Sequence, residues 1–138
     1  MLRGNLLPLT NMIAVDEMWP QIEAFLDRVA DEKVLVEDIY QFVSEGRWML
    51  WVCEVPDTFV LTTVIITEFI EYPQVTNLRI IFLSGDDEDW AYGIHVFEDF
   101  ARINKCHSLE VLGRRGWERV LRERGYKLNY ITLSKRIL

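Results

Sequence analysis

Four acidic residues in a row stand where a predicted buried strand runs into a predicted helix. The strand is Leu78–Leu83, the acids are Asp86–Asp89, and the helix begins near Trp90. A junction of this kind commonly holds an anion, because the first turn of a helix offers unpaired N–H groups and the positive end of a dipole. Here the carboxylates cap the helix themselves, with Asp86 as the candidate N-cap, and they repel a phosphate. The sequence therefore predicts an anion site that its own acids block.

Two other groups of residues raise the question of a metal site. The carboxylates of Asp86–Asp89 are hard oxygen ligands for a divalent cation, but they lack the alternating spacing of a calcium loop, so helix capping is favoured. Cys106, His107 and the more distant His95 offer softer ligands or a thiol nucleophile. Adjacent residues rarely bind one metal, and the chain has no Cys-x-x-Cys pair. We therefore predict no metal ligands and no catalytic residues among them.

Three arginines form a basic stripe along a predicted helix near the end of the chain. Arg115, Arg119 and Arg122 lie at i, i+4 and i+7, so their side chains share one face of that helix. Such a stripe can contact an acidic protein surface or nucleic-acid phosphates. An ordinary solvated helix face is the favoured interpretation, since Glu118 and Glu123 offset part of the charge. Of the two partners, an acidic protein surface is favoured.

The charge of the whole chain is unevenly distributed. The net charge is -7, with 5 basic and 19 acidic residues in 1–101 but 10 basic and 3 acidic residues in 102–138. The overall negative charge makes nucleic-acid binding unlikely. The polarity favours contact with other proteins or head-to-tail self-association. It is equally consistent with a basic end that faces the acidic end within one domain.

Length and composition predict a single globular domain spanning residues 1–138. Half of the residues are hydrophobic and 12% are aromatic, which is typical of a chain with a packed core. No apolar run approaches the ~20 residues of a membrane helix, so we expect no membrane contact. The segment Met1–Thr10 contains Pro8 and does not resemble a signal peptide. Two cysteines form no disulfide framework, which favours a reducing cytoplasm.

Hydrophobic spacing predicts a mixed α/β (α+β) fold in the order β-α-α-β-β-β-α-β-α-β. The first predicted helix begins at Asp16, after a loop over Asn11–Val15. The other three predicted helices span Val36–Glu45, Asp89–Lys105 and Arg114–Arg124. The predicted strands are Leu6–Thr10, Arg47–Val55, Thr58–Tyr72, Asn77–Leu83, Ser108–Leu112 and Lys127–Ile137. We expect a central sheet of about six strands with flanking helices. Its middle three strands form a meander, and the strands before and after the third helix are parallel.

This element order resembles that of the GNAT (Gcn5-related N-acetyltransferase) superfamily over nearly the whole chain. The ending Gly113-Arg114-Arg115-Gly116-Trp117, followed by Gly125-Tyr126, is similar to the closing helix of that family. The family holds the pyrophosphate of coenzyme A with a Gln/Arg-x-x-Gly-x-Gly/Ala loop, and the corresponding stretch here is Leu83–Trp90. If an acyl-CoA binds, the resemblance assigns it to Leu83, Ser84, Gly85 and Asp86. That stretch has one glycine and four acids, so we predict no cofactor.

The resemblance also locates where the family's general acid belongs. It is a tyrosine four residues before the Gly-Phe or Gly-Tyr pair, and that position is Leu121 here. A leucine has no proton to donate. The asparagine and alanine that often precede the tyrosine fall on Arg114 and Trp117. The resemblance therefore implies the fold without the residues of the activity.

The Gly-Arg-Arg-Gly-Trp ending also resembles small GNAT-like proteins of tailed bacteriophages. The resulting expectation is a non-catalytic protein that acts through protein–protein contacts, as a virion-associated or internal virion component. Its location would then be the virion or the host cytoplasm. The alternative is an N-acyltransferase that uses acyl-CoA through an atypical donor-binding loop.

Overall fold

A computed structural model of the protein describes residues 5–85 and 89–138. Its elements are β1 (Asn5–Leu9), α1 (Met12–Leu26), α2 (Val36–Ser44), β2 (Met49–Glu54), β3 (Leu61–Glu71), β4 (Thr76–Gly85), α3 (Ile94–Ile103), β5 (Leu109–Val111) and α4 (Arg115–Arg122). The predicted element order is confirmed as far as α4, with bounds that differ by a few residues. Among the described residues, no helix has the length and apolar character needed to cross a lipid bilayer.

In the described part of the chain, five strands form one sheet, and their order in space is their order in sequence. β1 to β4 are antiparallel neighbours, and β2, β3 and β4 form the predicted meander. β5 lies parallel to β4, as the intervening helix α3 requires. β1 and β5 are therefore the two edge strands of the sheet.

Helices cover both faces of the sheet and divide the core into two apolar layers. α1 and α2 bury Val15, Ile22, Leu26 and Ile39 on one face, and α3 and α4 bury Ile94, Phe97, Ala101 and Leu121 on the other. The tryptophans of the second strand show this division. Trp51 is buried in the α3 layer, whereas Trp48 packs against the α1 layer. The two side chains thus point to opposite faces, as their odd separation predicts.

α1 begins earlier than the sequence predicted. The segment Asn11–Val15 is not a loop, because the Asn11 side chain accepts a hydrogen bond of 2.9 Å from the Ala14 N–H and caps the helix. Met12, Ile13 and Ala14 then form the first turn, so Pro20 lies well inside the helix. The prediction was wrong because the acids Asp16 and Glu17 were taken as the start signal in place of the asparagine.

The helix predicted from Asp89 to Lys105 has two parts. A 3-10 turn spans Asp89–Gly93, and the α-helix α3 starts only at Ile94. Asp86, Asp87 and Glu88 lie outside the described residues, and so does the predicted N-cap at Asp86. The predicted α-helical start is therefore replaced by a tighter turn that brings Trp90 into the core.

The last predicted strand, Lys127–Ile137, is wrong. Residues 126–138 have no regular secondary structure, and among the described residues no strand pairs with them. A strand is stable only when a neighbouring strand satisfies its backbone groups. The composition of this segment favours a strand, but β5 has three residues and its outer edge stays unpaired.

Candidate functional site

The candidate site lies where β4 and β5 separate. β5 pairs with Leu78–Ile80 of β4, and a hydrogen bond of 2.9 Å from the Leu112 N–H to the Ile80 carbonyl ends the contact. β4 then continues to Gly85, and over this stretch it pairs, among the described residues, with β3 alone. The carboxyl ends of parallel strands that diverge in this way are a common ligand-binding position.

The residues predicted for an acyl-CoA lie at this end of β4. Leu83 and Ser84 are buried, Gly85 is half-buried, and Asp86 is outside the described residues. The structure thus brings three of the four positions together on one strand end. It leaves the acidic turn itself undescribed, so the predicted electrostatic block remains a prediction.

Two tryptophan rings fill the space beside this strand end. Trp90, in the turn after β4, is 4% exposed, and its ring centroid lies 5.1 Å from that of Trp117 in α4. Trp117 also packs on the backbone of Gly113, where an added Cβ would lie 2.1 Å from its Cε3 atom. The two indoles therefore occupy the space between the carboxyl end of β5 and the turn that precedes α3.

Leu121 is the residue that the resemblance predicted to stand at the position of a general acid. Leu121 is buried in the layer of α3 and α4. The nearest phenol along the chain is Tyr126, whose hydroxyl donates a hydrogen bond of 2.6 Å to Glu98 Oε2. Burial and this hydrogen bond raise the pKa of Tyr126 well above its usual range. The phenol therefore holds its proton and links the end of α4 to α3.

The predicted basic stripe is exposed on α4. Arg115, Arg119 and Arg122 all lie at the surface, and Arg122 pairs with Glu118 on the same helix. Within residues 5–85 and 89–138, no carboxylate pairs with Arg115 or Arg119. Two cations of the stripe are thus available to a partner, although the contact itself remains a prediction.

The cysteine and histidines of the sequence do not assemble into a site. Cys106 is half-buried, and burial raises the pKa of its thiol, which disfavours the reactive thiolate. His95 Nδ1 lies 3.0 Å from the Tyr92 carbonyl oxygen, and the backbone N–H of His107 donates to the Thr76 carbonyl at 2.8 Å. Among the described residues, no three His, Cys, Asp or Glu side chains are placed to hold a metal.

A polar cluster at the start of β4 was not foreseen from the sequence. Glu110 Oε2 accepts hydrogen bonds from Tyr72 Oη at 2.8 Å and Asn77 Nδ2 at 2.7 Å. Glu110 Oε1 accepts two from the Arg79 guanidinium, at 2.9 and 3.1 Å. Burial opposes the ionisation of Glu110, but these hydrogen bonds outweigh it and lower its pKa. The cluster fastens β5 to β4 and does not resemble a catalytic site.

A groove between α1 and α2 was also missed. Four carboxylates line it together with the rings of Trp19 and Tyr40, which meet edge to face at 4.8 Å between centroids. The carboxylates are Glu23, Asp27, Asp31 and Glu37. The i, i+4 spacing of Glu23, Asp27 and Asp31 was the signal available in the sequence. Acids beside aromatic faces suit a cationic contact.

Comparison with known proteins gives the fold. No protein-family model matches the chain, and no curated protein matches its sequence. Solved structures do match: a probable acetyltransferase has a TM-score of 0.74 at 8% identity and covers 97% of this chain and 98% of its own. An acetyltransferase from Trypanosoma brucei (TM-score 0.72, 10% identity) covers 96% and 99%. A ribosomal-protein-alanine N-acetyltransferase from Brucella melitensis biovar Abortus 2308 (0.69, 12%) also covers 96% and 99%. The chain therefore has the fold of GNAT acetyltransferases.

Proposed function

We propose that this protein is a non-catalytic protein with the acetyltransferase fold, and that it acts through contacts with other proteins. The observation that carries the proposal is the packing of Trp117 between the Gly113 backbone and Trp90. A donor bound at the strand ends needs open space beside a helix N-terminus. Here bulky side chains occupy that space, and an apolar side chain stands at the position of the general acid.

The four acids before Trp90 support the same reading. A pyrophosphate brought against Asp86–Asp89 meets charge of its own sign, and like charges at about 4 Å repel by roughly 1 kcal/mol even in water. Several such pairs act together, and the cost rises as water is excluded. An acyl-CoA donor therefore gains little binding free energy from the turn that carries these acids.

The proposed contact surface is the basic stripe of α4, and its proposed partner is an acidic protein surface. Arg115 and Arg119 are exposed without an internal carboxylate partner in the described chain. They therefore break no internal ion pair when a partner binds. Charge reversal at both positions should abolish capture of a partner from cell lysate. Arg47→Glu, at an exposed arginine on another part of the surface, serves as the control and should leave capture unchanged.

The proposed setting is a tailed-bacteriophage particle or the infected cell. This part of the proposal rests on the resemblance of the Gly113–Trp117 ending alone. Mass spectrometry of purified particles tests it directly. Peptides of this chain at a constant copy number would support a virion component, and their absence from particles would remove that role.

The experiment for the main proposal is a thermal-shift titration with acetyl-CoA and with coenzyme A at millimolar concentrations. A ligand at about 100 times its dissociation constant stabilises the native state by about 2.7 kcal/mol. We expect no rise in Tm above the effect of ATP, which controls for unspecific binding of phosphates. A rise that is specific to the CoA ligands would overturn the proposal.

The second candidate is an N-acyltransferase with an atypical donor loop. The divergence of β4 from β5 after Ile80 favours it, because Leu83, Ser84 and Gly85 then lie on a strand edge that is not paired with β5. An acyl donor would enter there if Trp117 swung away from Gly113. In that case acetyl-CoA raises the Tm, and Trp117→Ala strengthens the binding.

A further inference from the structure

We propose that the basic stripe of α4 binds the groove between α1 and α2 of a second copy of the chain. This contact rests on the proposed function, in which the stripe binds an acidic protein surface, and it identifies that surface. The groove has a volume of about 610 Å³. Among the described residues, its lining includes four carboxylates and no basic side chain.

The four carboxylates of the groove are exposed: Glu23, Asp27, Asp31 and Glu37. Among the residues that the structure describes, no basic side chain forms an ion pair with any of them. Asp31 has an internal role, because its Oδ1 accepts a hydrogen bond of 2.8 Å from the Lys33 N–H. Glu37 lies in the first turn of α2, where an acid is stabilising. The described contacts give no such role to Glu23 or Asp27.

Glu23 and Asp27 lie at the end of a helix that disfavours acids. They occupy the last turn and the C-cap of α1, and that turn contains no basic residue. The helix dipole places partial negative charge there, which favours a cation. Arg28, the next residue, lies over the Phe25 ring at 4.5 Å and is not among the described residues that line the groove. The negative potential of the groove is therefore best balanced by a cation from outside.

The aromatic rings of the groove make an arginine the cation that fits best. Trp19 and Tyr40 are half-buried and meet edge to face. The Tyr40 hydroxyl donates a hydrogen bond of 2.7 Å to Asp16, so the ring is held in place before a partner binds. A guanidinium stacks on aromatic rings and forms paired hydrogen bonds with a carboxylate, whereas the ammonium of a lysine acts as a point charge.

The stripe of α4 supplies arginines with the spacing that the groove requires. Arg115 and Arg119 are exposed, and within residues 5–85 and 89–138 no carboxylate pairs with them. They are separated by four helical positions, and so are Glu23 and Asp27. Four positions correspond to about 6 Å along a helix axis, so two arginine–carboxylate pairs can form between two helix faces laid side by side. Matching spacing and opposite charge identify a second copy as the occupant.

The two surfaces lie on opposite sides of the molecule. α1 and α2 cover one face of the sheet, and α3 and α4 cover the other. A copy that donates its stripe therefore keeps its own groove free for a third copy. Such a head-to-tail contact extends into a chain or closes into a ring. Because the contact joins exposed charges, salt should weaken it.

The test is the mass of the full-length chain in solution, measured by light scattering over a wide range of protein concentrations. We expect the mean mass to rise above the 16.4 kDa of the monomer in about 0.01 M salt. It should fall back toward that value in about 1 M salt. The stripe variant Arg115→Gln/Arg119→Gln and the groove variant Glu23→Gln/Asp27→Asn should each weaken self-association by about tenfold or more. All four side chains are exposed, so the variants should fold, which circular dichroism verifies.

A mixture of the two variants makes the result specific. The groove variant keeps a functional stripe and the stripe variant keeps a functional groove. An equal mixture should therefore form a species of two chains that does not grow further. Arg47→Gln and Glu71→Gln remove exposed charges elsewhere on the surface, and these controls should associate as the original chain does.

Three results would overturn the proposed contact. They are a monomer at every concentration, an association that survives the groove variant, and a mixture without the two-chain species. The proposed function is tested separately, by capture of a partner through Arg115 and Arg119 and by the CoA titration. A monomeric chain whose arginines still capture another protein would contradict the contact between copies and leave the proposed function standing.

Discussion

Adding one methyl group at Gly113 tests the packing that closes the candidate site. In Gly113→Ala the new Cβ would lie 2.1 Å from Trp117 Cε3 and 2.9 Å from its Cζ3. Ordinary carbon contacts are about 3.5–4.0 Å, so the indole must shift by more than 1 Å. The ring is rigid, and Trp90 lies behind it. Overpacking of this kind costs about 1–3 kcal/mol.

The loss is measured as the free energy of unfolding in urea and as the melting temperature. At this chain length 1 kcal/mol corresponds to about 3–5 °C, so we expect Tm to fall by about 3–15 °C. The backbone of Gly113 does not have a positive φ, so the penalty comes from the contact with Trp117 and not from strain. Tryptophan fluorescence should change as well, because the environment of Trp117 changes.

Gly116, three residues away, is the matched control. An added Cβ there meets nothing within 4 Å, and the residue lies inside α4. Gly116→Ala should therefore be neutral or stabilise the protein by up to about 1 kcal/mol. Equal stability of the two variants, or a Gly113→Ala protein as stable as the original, would refute the packing that the proposed function depends on.

Three other substitutions test the remaining contacts. Glu110→Gln removes the charge that Arg79 binds and should cost about 1–2 kcal/mol at pH 7. Because the pKa of Glu110 is lowered on folding, this stabilisation is present above about pH 4.3 and disappears as the pH falls through the folded pKa; urea melts from pH 7 to 3 measure it, and a pH-independent difference contradicts it. Tyr126→Phe loses the hydrogen bond to Glu98 and should cost about 1 kcal/mol at pH 7. The pKa of Tyr126 is raised on folding, so the original protein loses this stability above about pH 10 and the difference narrows in alkaline melts. Asn11→Ala removes the cap of α1 and should cost about 1 kcal/mol in the same assay, whereas Asn11→Ser should restore most of it.

The order of the elements was predictable because hydrophobic period is a local property of the sequence. Gly46 and Gly125 adopt positive φ angles of 75° and 92° where helices were predicted to end, as the preference of glycine for that conformation implies. The start of α1 was predicted wrongly because the sequence offers two signals for a helix start, Asn11 and the acids Asp16 and Glu17. Asn11 prevailed because its side chain reaches the Ala14 N–H, whereas the Asp16 side chain accepts a hydrogen bond from the Tyr40 hydroxyl at 2.7 Å.

The long-range contacts were not predictable from one sequence. Tyr72 and Glu110 are 38 residues apart, and only the pairing of β4 with β5 brings them into one cluster. The same holds for Trp90 and Trp117, whose contact depends on the packing of α4 beside the turn that precedes α3. The spacing of three arginines can show that they lie on one face of a helix. It does not show which carboxylates the fold places near that face. The last strand failed for a related reason, since the composition of a strand does not reveal whether a neighbour exists.

Because the contact between β4 and β5 is short, one part of the molecule should unfold locally at a lower free energy than the rest. β3 and β4 share nine residue pairs, whereas β4 and β5 share three. The connection into β5 also passes through Lys105, which holds a φ of +58° that non-glycine residues rarely adopt. Native-state hydrogen exchange should therefore find β5 and α4 opening together as a subglobular unit, at a lower free energy than the amides of Val64 and Ile65. The four strands β1 to β4 then remain folded as a platform, on which the segment from β5 onward, residues 109–138, is repeatedly released and recaptured.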